Sequence, residues 1–296
     1  MKILISVIIP VYKNSSMLKD SLNSLLEQTF KDFEIIVVND GSPNIINLKK
    51  IINKFIKKKL KIKFINFKKN QGVSVALNTA IKKSKGKYIS WLSHDDLYHK
   101  DKLEKQIKVL AKKSLNICFS NFFLKNEDKK IIKKINIKSN FFEPRKIILF
   151  RDKYNFCSAL INKKIFNKVG LFDIKKKHTQ DYDLLFKIFK MFKPYIMNDY
   201  LLLSRIHYKQ NSVTGRAEAE KEKEELYLSV FNEIKSIYFN SNLVKKIYIM
   251  FFLKFKNLKK INFKLFELIK KENFINKIIL ITVLKVSGSY LFFKKI

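Results

Sequence analysis

The first hundred residues alternate between unbroken apolar runs and segments whose apolar residues recur every three or four positions. The runs "ILISVIIPVY" (3–12), "FEIIVVND" (33–40), "KIKFINF" (61–67) and "KYISWL" (87–92) are short and mostly end in polar or turn-forming residues, which predicts four buried strands. Between the first two, Ser15 or Ser16 can cap a helix with Leu18, Leu22, Leu25 and Leu26 on one face. A helix rich in Ile and Lys follows the second run, and one through Val73, Leu77, Ala80 and Ile81 follows the third. This βαβαβαβ rhythm predicts an α/β fold with a mainly parallel sheet sandwiched by helices. Ligands of such sheets lie beyond the carboxyl ends of the strands. Three of those ends carry polar clusters: Pro10 to Tyr12, Asn39 to Ser42, and Ser93 to Asp96.

After Asp96 the pattern changes. Leu103, Ile107 and Leu110 mark a helix over about 101–112, and shorter strands are expected near 117–124 and 156–161. "VGLFD" (169–173) precedes a helix starting near Asp181, and a strand ends in "SRIHYKQNS" (204–212). From Arg216 onward only helices are predicted, the first with Leu226, Val230, Ile234 and Ile237 on one face, and the last fifty residues alternate Lys with Ile, Leu and Phe. The expected organisation is one domain over 1–215, with halves 1–98 and 99–215, and a C-terminal helical basic tail over 216–296. There is no internal repeat.

Composition narrows the classes. At 47% hydrophobic residues the chain can build a core and is not a disordered protein. Its 62 basic and 25 acidic residues give a net charge of +37, carried almost entirely by Lys. Two readings of that charge stay open: attraction to an anionic partner such as a membrane surface, or a solvated surface left by a Lys-rich composition. Cys118 and Cys157 lie in apolar runs and read as buried thiols of a reducing compartment rather than a disulfide. The start of the chain lacks a small-residue cleavage site, and the most apolar stretch, 278–293, is broken by Lys285 and Gly288, so neither a leader nor a membrane-spanning helix is expected.

The candidate chemistry sits in the polar clusters. Asp40 and Gly41 follow a buried strand, where Asn-Asp-Gly-Ser is also good turn chemistry. Asn70, Gly72 and Asn78 occupy a loop and the helix after it, where they could equally be structural. "SWLSHDD" places two adjacent carboxylates, Asp95 and Asp96, in a loop before a helix that Asp101 can cap. Neighbouring carboxylates repel, and oxygen ligands suit Mg²⁺ or Mn²⁺; a zinc cluster of two His, His94 and His99, with two carboxylates is the alternative. Asp181 and Asp183 open a helix, as caps or with one of them as a general base. Arg205 and His207 alternate along a predicted strand, which puts both on one face, suited to an anion or a metal-bound diphosphate.

In this order and spacing, "SVIIPVYKNSSMLKDSLNSLLEQTFKDFEIIVVNDGS", "NQGVSVALNTAI", "GKYISWLSHDD", "GLFD", "QDYDL" and "RIHYKQNS" resemble the family 2 glycosyltransferases of the GT-A fold, from about Ser6 to Ser212. The resemblance implies that Pro10, Val11, Tyr12 and Asp40 hold the nucleoside of a sugar nucleotide, with Asn70, Gly72, Asn78, Ser93, His94, Asp95 and Arg205 also on the donor. It implies a Mn²⁺ or Mg²⁺ ion on Asp95, Asp96 and His207, and Asp181 as the catalytic base. Two positions depart from the family pattern: Ser93 replaces the first carboxylate of the Asp-any-Asp motif, and Gln180 replaces the Glu common before the base.

The implied protein is an inverting enzyme that moves a sugar from a nucleoside diphosphate, UDP being commonest in the family, to a hydroxyl of a glycan or glycolipid. Bacterial surface polysaccharide or lipooligosaccharide synthesis is the implied setting, in the cytoplasm at the inner face of the plasma membrane, with the tail on anionic lipid. A nucleotidyltransferase would want a Gly-rich phosphate loop after the first strand, and "PVYKNSS" has no glycine. A non-enzymatic basic membrane or nucleic-acid binder would leave the ordered Asp motifs unexplained, and no nucleic-acid partner is expected.

Overall fold

The computed structural model describes residues 4–13, 15–126, 131–137, 154–207 and 216–239, with 271, 273, 276 and 280 beyond them. The chain divides into two compact units. One comprises Met1–Phe141 and Lys153–Arg216, the other Phe142–Asp152 and Ala217–Ile296.

The first unit holds β1 (Ile5–Val11), α1 (Ser15–Leu26), β2 (Phe33–Asp40), α2 (Ile45–Lys57), β3 (Ile62–Phe67), α3 (Val73–Lys83), β4 (Tyr88–Trp91), β5 (Leu97–Tyr98) and α4 (Lys102–Lys112). It continues with β6 (Ile117–Lys125), β7 (Ile131–Ile135), β8 (Ala159–Asn162), α5 (Lys164–Val169), α6 (Gln180–Met191) and β9 (Tyr195–Arg205). Among the described residues the sheet has nine strands, in the order β3-β2-β1-β4-β8-β6-β9-β5, with β7 also paired to β6.

β3, β2, β1 and β4 are mutually parallel, as their apolar runs predict. Every residue of β1 and β2 is buried, which is what a parallel strand covered on both faces requires. Leu18, Leu22 and Leu25 of α1, and Leu77, Ala80 and Ile81 of α3, are buried at the predicted spacing. Leu103, Ile107 and Leu110 of α4 do the same.

The second half departs from the parallel expectation. β8 runs antiparallel to both β4 and β6, β7 antiparallel to β6, and β5 antiparallel to β9, while β6 and β9 are parallel. The sheet is therefore mixed, and it crosses the expected boundary between residues 98 and 99 without a break. Cys118 and Cys157 are buried and free. Burial pushes the Cys118 thiol up to about 12.

In the second unit, α7 (Arg216–Phe239) is the described element, and Leu226 is buried on it. Val230, Ile234 and Ile237, predicted on the same face, lie outside the described side chains, as does most of the Lys-Ile-Leu-Phe alternation beyond them. No helix among the described residues is long and apolar enough to cross a membrane.

Candidate functional site

Two constellations form at the carboxyl ends of the strands. The first joins the loops after β2 and β3. Both carboxylate oxygens of Asp40 accept backbone N–H groups, Oδ1 from Gln71 at 2.7 Å and Oδ2 from Gly72 at 3.0 Å. Asn70 Nδ2 donates to the Asp40 carbonyl at 3.2 Å. Gly41 and Gly72 adopt φ of +71° and +94°, in the region that favours glycine. A Cβ on Gly41 would lie 2.4 Å from the Asn70 nitrogen, so the two loops can touch only without one. Pro10 and Val11 end the buried β1, and Tyr12 beyond them is 37% exposed. Lys13 N–H donates to Ser42 Oγ at 3.0 Å. Asp40, Asn70 and Gly72 thus come together as the sequence suggests, but the Asp40 carboxylate is directed at backbone N–H groups of its own chain.

Asn78 sits elsewhere. Its Nδ2 donates to the Phe172 carbonyl at 2.8 Å and its Oδ1 accepts the Phe172 N–H at 3.0 Å. Both ends of the amide clamp the "GLFD" loop to α3, which is the structural role that the sequence left open for it.

The second constellation lines a cavity of about 330 Å³ formed by Trp91, Ser93, Asp95, Asp96, Phe122, Tyr154, Asn155, Cys157, Asp181 and Ser204. β4 delivers Ser93, Asp95 and Asp96, and the first turn of α6 delivers Asp181. The Asp181 Oδ1 accepts the Tyr182 N–H at 2.9 Å, which fixes the carboxylate at the positive end of the helix. Asp183, absent from the lining, pairs with Lys187 one turn on at 2.6 Å.

Asp95 and His207 are 6% and 5% exposed, and His207 Nε2 lies 3.0 Å from Asp95 Oδ2. Asp96 is turned to a different partner. Its Oδ1 accepts the Arg205 N–H at 2.9 Å, and burial first, then the charge of Asp95, raises its carboxyl to about 8. Burial also lowers the pKa of His94, opposed in part by Asp95. His94 does not line the cavity, and its backbone carbonyl accepts Ser21 Oγ at 2.8 Å.

Arg205 and His207 do not share a strand face. β9 ends at Arg205, and His207 follows two residues later outside it. Ser204 lines the cavity, so its neighbour Arg205 points away from it. The guanidinium reaches α1, with Nη1 on Asp20 Oδ2 at 2.8 Å and Nη2 on the Met17 carbonyl at 3.3 Å. Its Nε donates to the Asp95 carbonyl. Arg205 holds the backbone of Asp95 while His207 meets its carboxylate.

The fit of a divalent ion can be judged from these donors. His207 Nε2 and Asp95 Oδ2 lie at hydrogen-bond distance from each other, and an imidazole and a carboxylate are both donor types that Mn²⁺ accepts. Among the described residues no three His, Cys, Asp or Glu groups converge in metal-holding geometry. The set therefore fits an ion that takes one carboxylate, one imidazole and otherwise water or substrate oxygens.

Sequence patterns did not single out Trp91, Phe122, Tyr154, Asn155, Cys157 or Ser204. Asn155 offered the best signal. It caps the 3₁₀ turn 156–158, accepting the Cys157 N–H at 2.9 Å, and reaches Ser204 Oγ at 3.3 Å.

Comparison with known proteins agrees with this architecture. Residues 6–170 match the model of glycosyl transferase family 2. An uncharacterised glycosyltransferase of Rickettsia prowazekii is 36% identical over 224 residues, 74% of this chain and 69% of that protein. One from Rickettsia bellii is 39% identical over 215 residues, 71% of this chain but 31% of that protein, so the chain spans about a third of its length. Staphylococcus aureus TarS, solved with UDP-GlcNAc, superposes with a TM-score of 0.64 at 16% identity over 96% of this chain and 80% of that one. A Pyrobaculum calidifontis mannosyltransferase solved with GDP-Man and Mn²⁺ gives 0.56 at 13% identity over 98% and 82%. The fold is GT-A. On its matched residues and its relatives, the chain belongs to glycosyl transferase family 2.

Proposed function

We propose that the protein is an inverting glycosyltransferase that moves a sugar from a UDP-linked donor to a hydroxyl of a glycan or glycolipid in bacterial surface polysaccharide synthesis. The observation that carries this reading is that Asp95 and Asp181 line the same cavity at the carboxyl ends of the strands. Family membership supports the reaction class, and the UDP-GlcNAc bound by TarS supports the choice of nucleotide.

Asp181 accepts the proton of the acceptor hydroxyl. The acceptor oxygen forms its bond to the anomeric carbon as the bond from that carbon to the diphosphate oxygen breaks, and the electron pair leaves on the diphosphate. One displacement from the opposite side inverts the anomeric centre, as in glycosidases that activate water with a carboxylate. Asp95 and His207 are the residues that would hold Mn²⁺ or Mg²⁺. Such an ion would supply Lewis acidity toward the leaving diphosphate. Arg205, through the Asp95 backbone, keeps that carboxylate in register. Tyr12, exposed beyond β1, and the Asp40–Gly72 loop pair would flank the nucleoside.

Thermal shift tests the reading. UDP with Mn²⁺ at about 100 times its dissociation constant is expected to stabilise the protein by about 2.7 kcal/mol, several degrees in Tm, and EDTA to remove most of that gain. If no nucleoside diphosphate shifts Tm, the donor assignment fails.

A further inference from the structure

Residues 41–94 contain 14 Lys and no Asp or Glu. At the chain's overall ratio of 25 acidic to 62 basic residues, a stretch with 14 Lys would carry about six carboxylates. The segment forms α2, β3, α3 and β4 in the first unit, and β3 is an edge of the sheet.

The charge is arranged as well as abundant. Helix α2 buries Leu48, Ile52 and Phe55, which fixes the opposite face as the solvent side. Lys49, Lys50, Lys54 and Lys57 on α2 are exposed, and so are Lys61 and Lys63 at the start of β3. None of the six forms an ion pair with a described carboxylate. Ile46 and Ile56 stand among them at 68% and 44% exposure.

Lysines on an edge strand discourage pairing with other chains, and that alone would account for Lys61 and Lys63. It does not account for four more cations on the helix, nor for two exposed isoleucines between them.

We infer that the α2–β3 edge is a docking surface for an anionic lipid bilayer, with the lysines on the headgroups and Ile46 and Ile56 entering the interface. Flexible point charges interleaved with aliphatic side chains are the composition of an interfacial membrane contact. The stretch 45–63 that forms the surface contains no Arg, Tyr or Trp, the residues that read bases or stack on them, which disfavours a nucleic-acid partner. An edge-on contact leaves the carboxyl ends of β1, β2 and β4 uncovered. The inference does not depend on glycosyl transfer, and its test needs no turnover.

The test is co-sedimentation of the full chain with phosphatidylcholine vesicles containing about 30% phosphatidylglycerol, at about 0.15 M salt. Replacing Lys50, Lys54 and Lys57 with Gln should weaken binding at least tenfold. Replacing the exposed Lys112, Lys164 and Lys168 with Gln, an equal change in net charge, should weaken it less than twofold. All six side chains are exposed, so Tm should hold within about 2 °C and loss of fold is distinguishable. The double variant Ile46→Ser with Ile56→Ser should lose several-fold in vesicle affinity and bind a short DNA duplex as the unmodified protein does.

Equal loss in the two lysine triples would mean that net charge alone acts, and the assigned surface falls. Unchanged binding of the α2 triple would move docking to another part of the chain and overturn the inference. Loss of duplex and vesicle binding together, with no effect of the isoleucine changes, would make the surface a general polyanion site and overturn the membrane assignment.

Discussion

His207 and Asp95 are 112 residues apart in the chain, and His207 Nε2 lies 3.0 Å from Asp95 Oδ2. The contact joins the end of the parallel half of the sheet to the segment that leaves its last long strand. A buried imidazole and carboxylate at that distance hold each other in place whether or not an ion joins them.

Asp95→Asn keeps the size of the side chain and removes its charge. It should lower sugar transfer at least 10²-fold and abolish the additional thermal shift that Mn²⁺ gives with UDP. His207→Gln should weaken Mn²⁺ dependence by about 10-fold with less loss of turnover at saturating metal. Transfer that survives both Asp95→Asn and EDTA would remove the ion from the mechanism.

Asp40 requires a different experiment, because its carboxylate accepts two backbone N–H groups. Asp40→Ala leaves both without a partner, at a cost of about 2 kcal/mol, so Tm should fall by about 4–8 °C. Donor KM should rise more than kcat falls, because the loop pair is disturbed in ground and transition states alike. An unchanged Tm would mean that the loops are held by something other than this carboxylate.

Asp181 and Asp183 make a matched pair of variants. Asp181 lines the cavity, whereas Asp183 is tied to Lys187. Asp181→Asn should reduce kcat by about 10²–10⁴ with UDP binding retained. Asp183→Asn should cost less than tenfold. The reverse ranking in steady-state kinetics would move the base to Asp183.

Lys102 gives a pH signature independent of catalysis. Its side chain is fully buried, with Nζ donating to Gln106 Oε1 at 2.7 Å and Ser90 Oγ at 3.2 Å. Burial lowers its pKa to about 7 from an ordinary 10.5. Between those values the unfolded chain binds the proton that the folded amine releases, so this group makes stability rise with pH across that window. Lys102→Met lacks the group. The Tm of the unmodified protein minus that of the variant should therefore increase by several degrees from pH 7 to pH 10. A difference that is flat or falls with pH would show that the amine stays charged in the folded protein.

How much of this was legible in the sequence depended on whether local pattern or distant pairing fixes each element. β1 to β4 and their helices are announced by apolar runs and helical spacing. β5, of two residues, exists because Leu97 and Tyr98 meet Leu203 and Leu202, and no local pattern encodes that. The antiparallel insertion of β8 between β4 and β6 escaped for the same reason. Within the site, Asp95, Asp96 and Asp181 were legible because carboxylates at strand and helix ends are conspicuous. The fates of Asn78 and Arg205 were not, since their partners, Phe172 and Asp20, lie 94 and 185 residues away in sequence. The strand-parity argument for Arg205 and His207 failed because the strand stops at Arg205.

The insertion of β8 between β4 and β6 has a consequence for synthesis of the chain. Strand β4 ends at Trp91, but its neighbour on the open side, residues 159–162, is made about seventy residues later. At about 5–20 residues per second, a ribosome leaves that edge without its partner for about 4–14 s. During this interval the nascent first half is a sheet with a bare flank, open to pairing with a neighbouring nascent chain. Slowed translation between residues 92 and 158 should therefore lower soluble yield more than the same delay after residue 162.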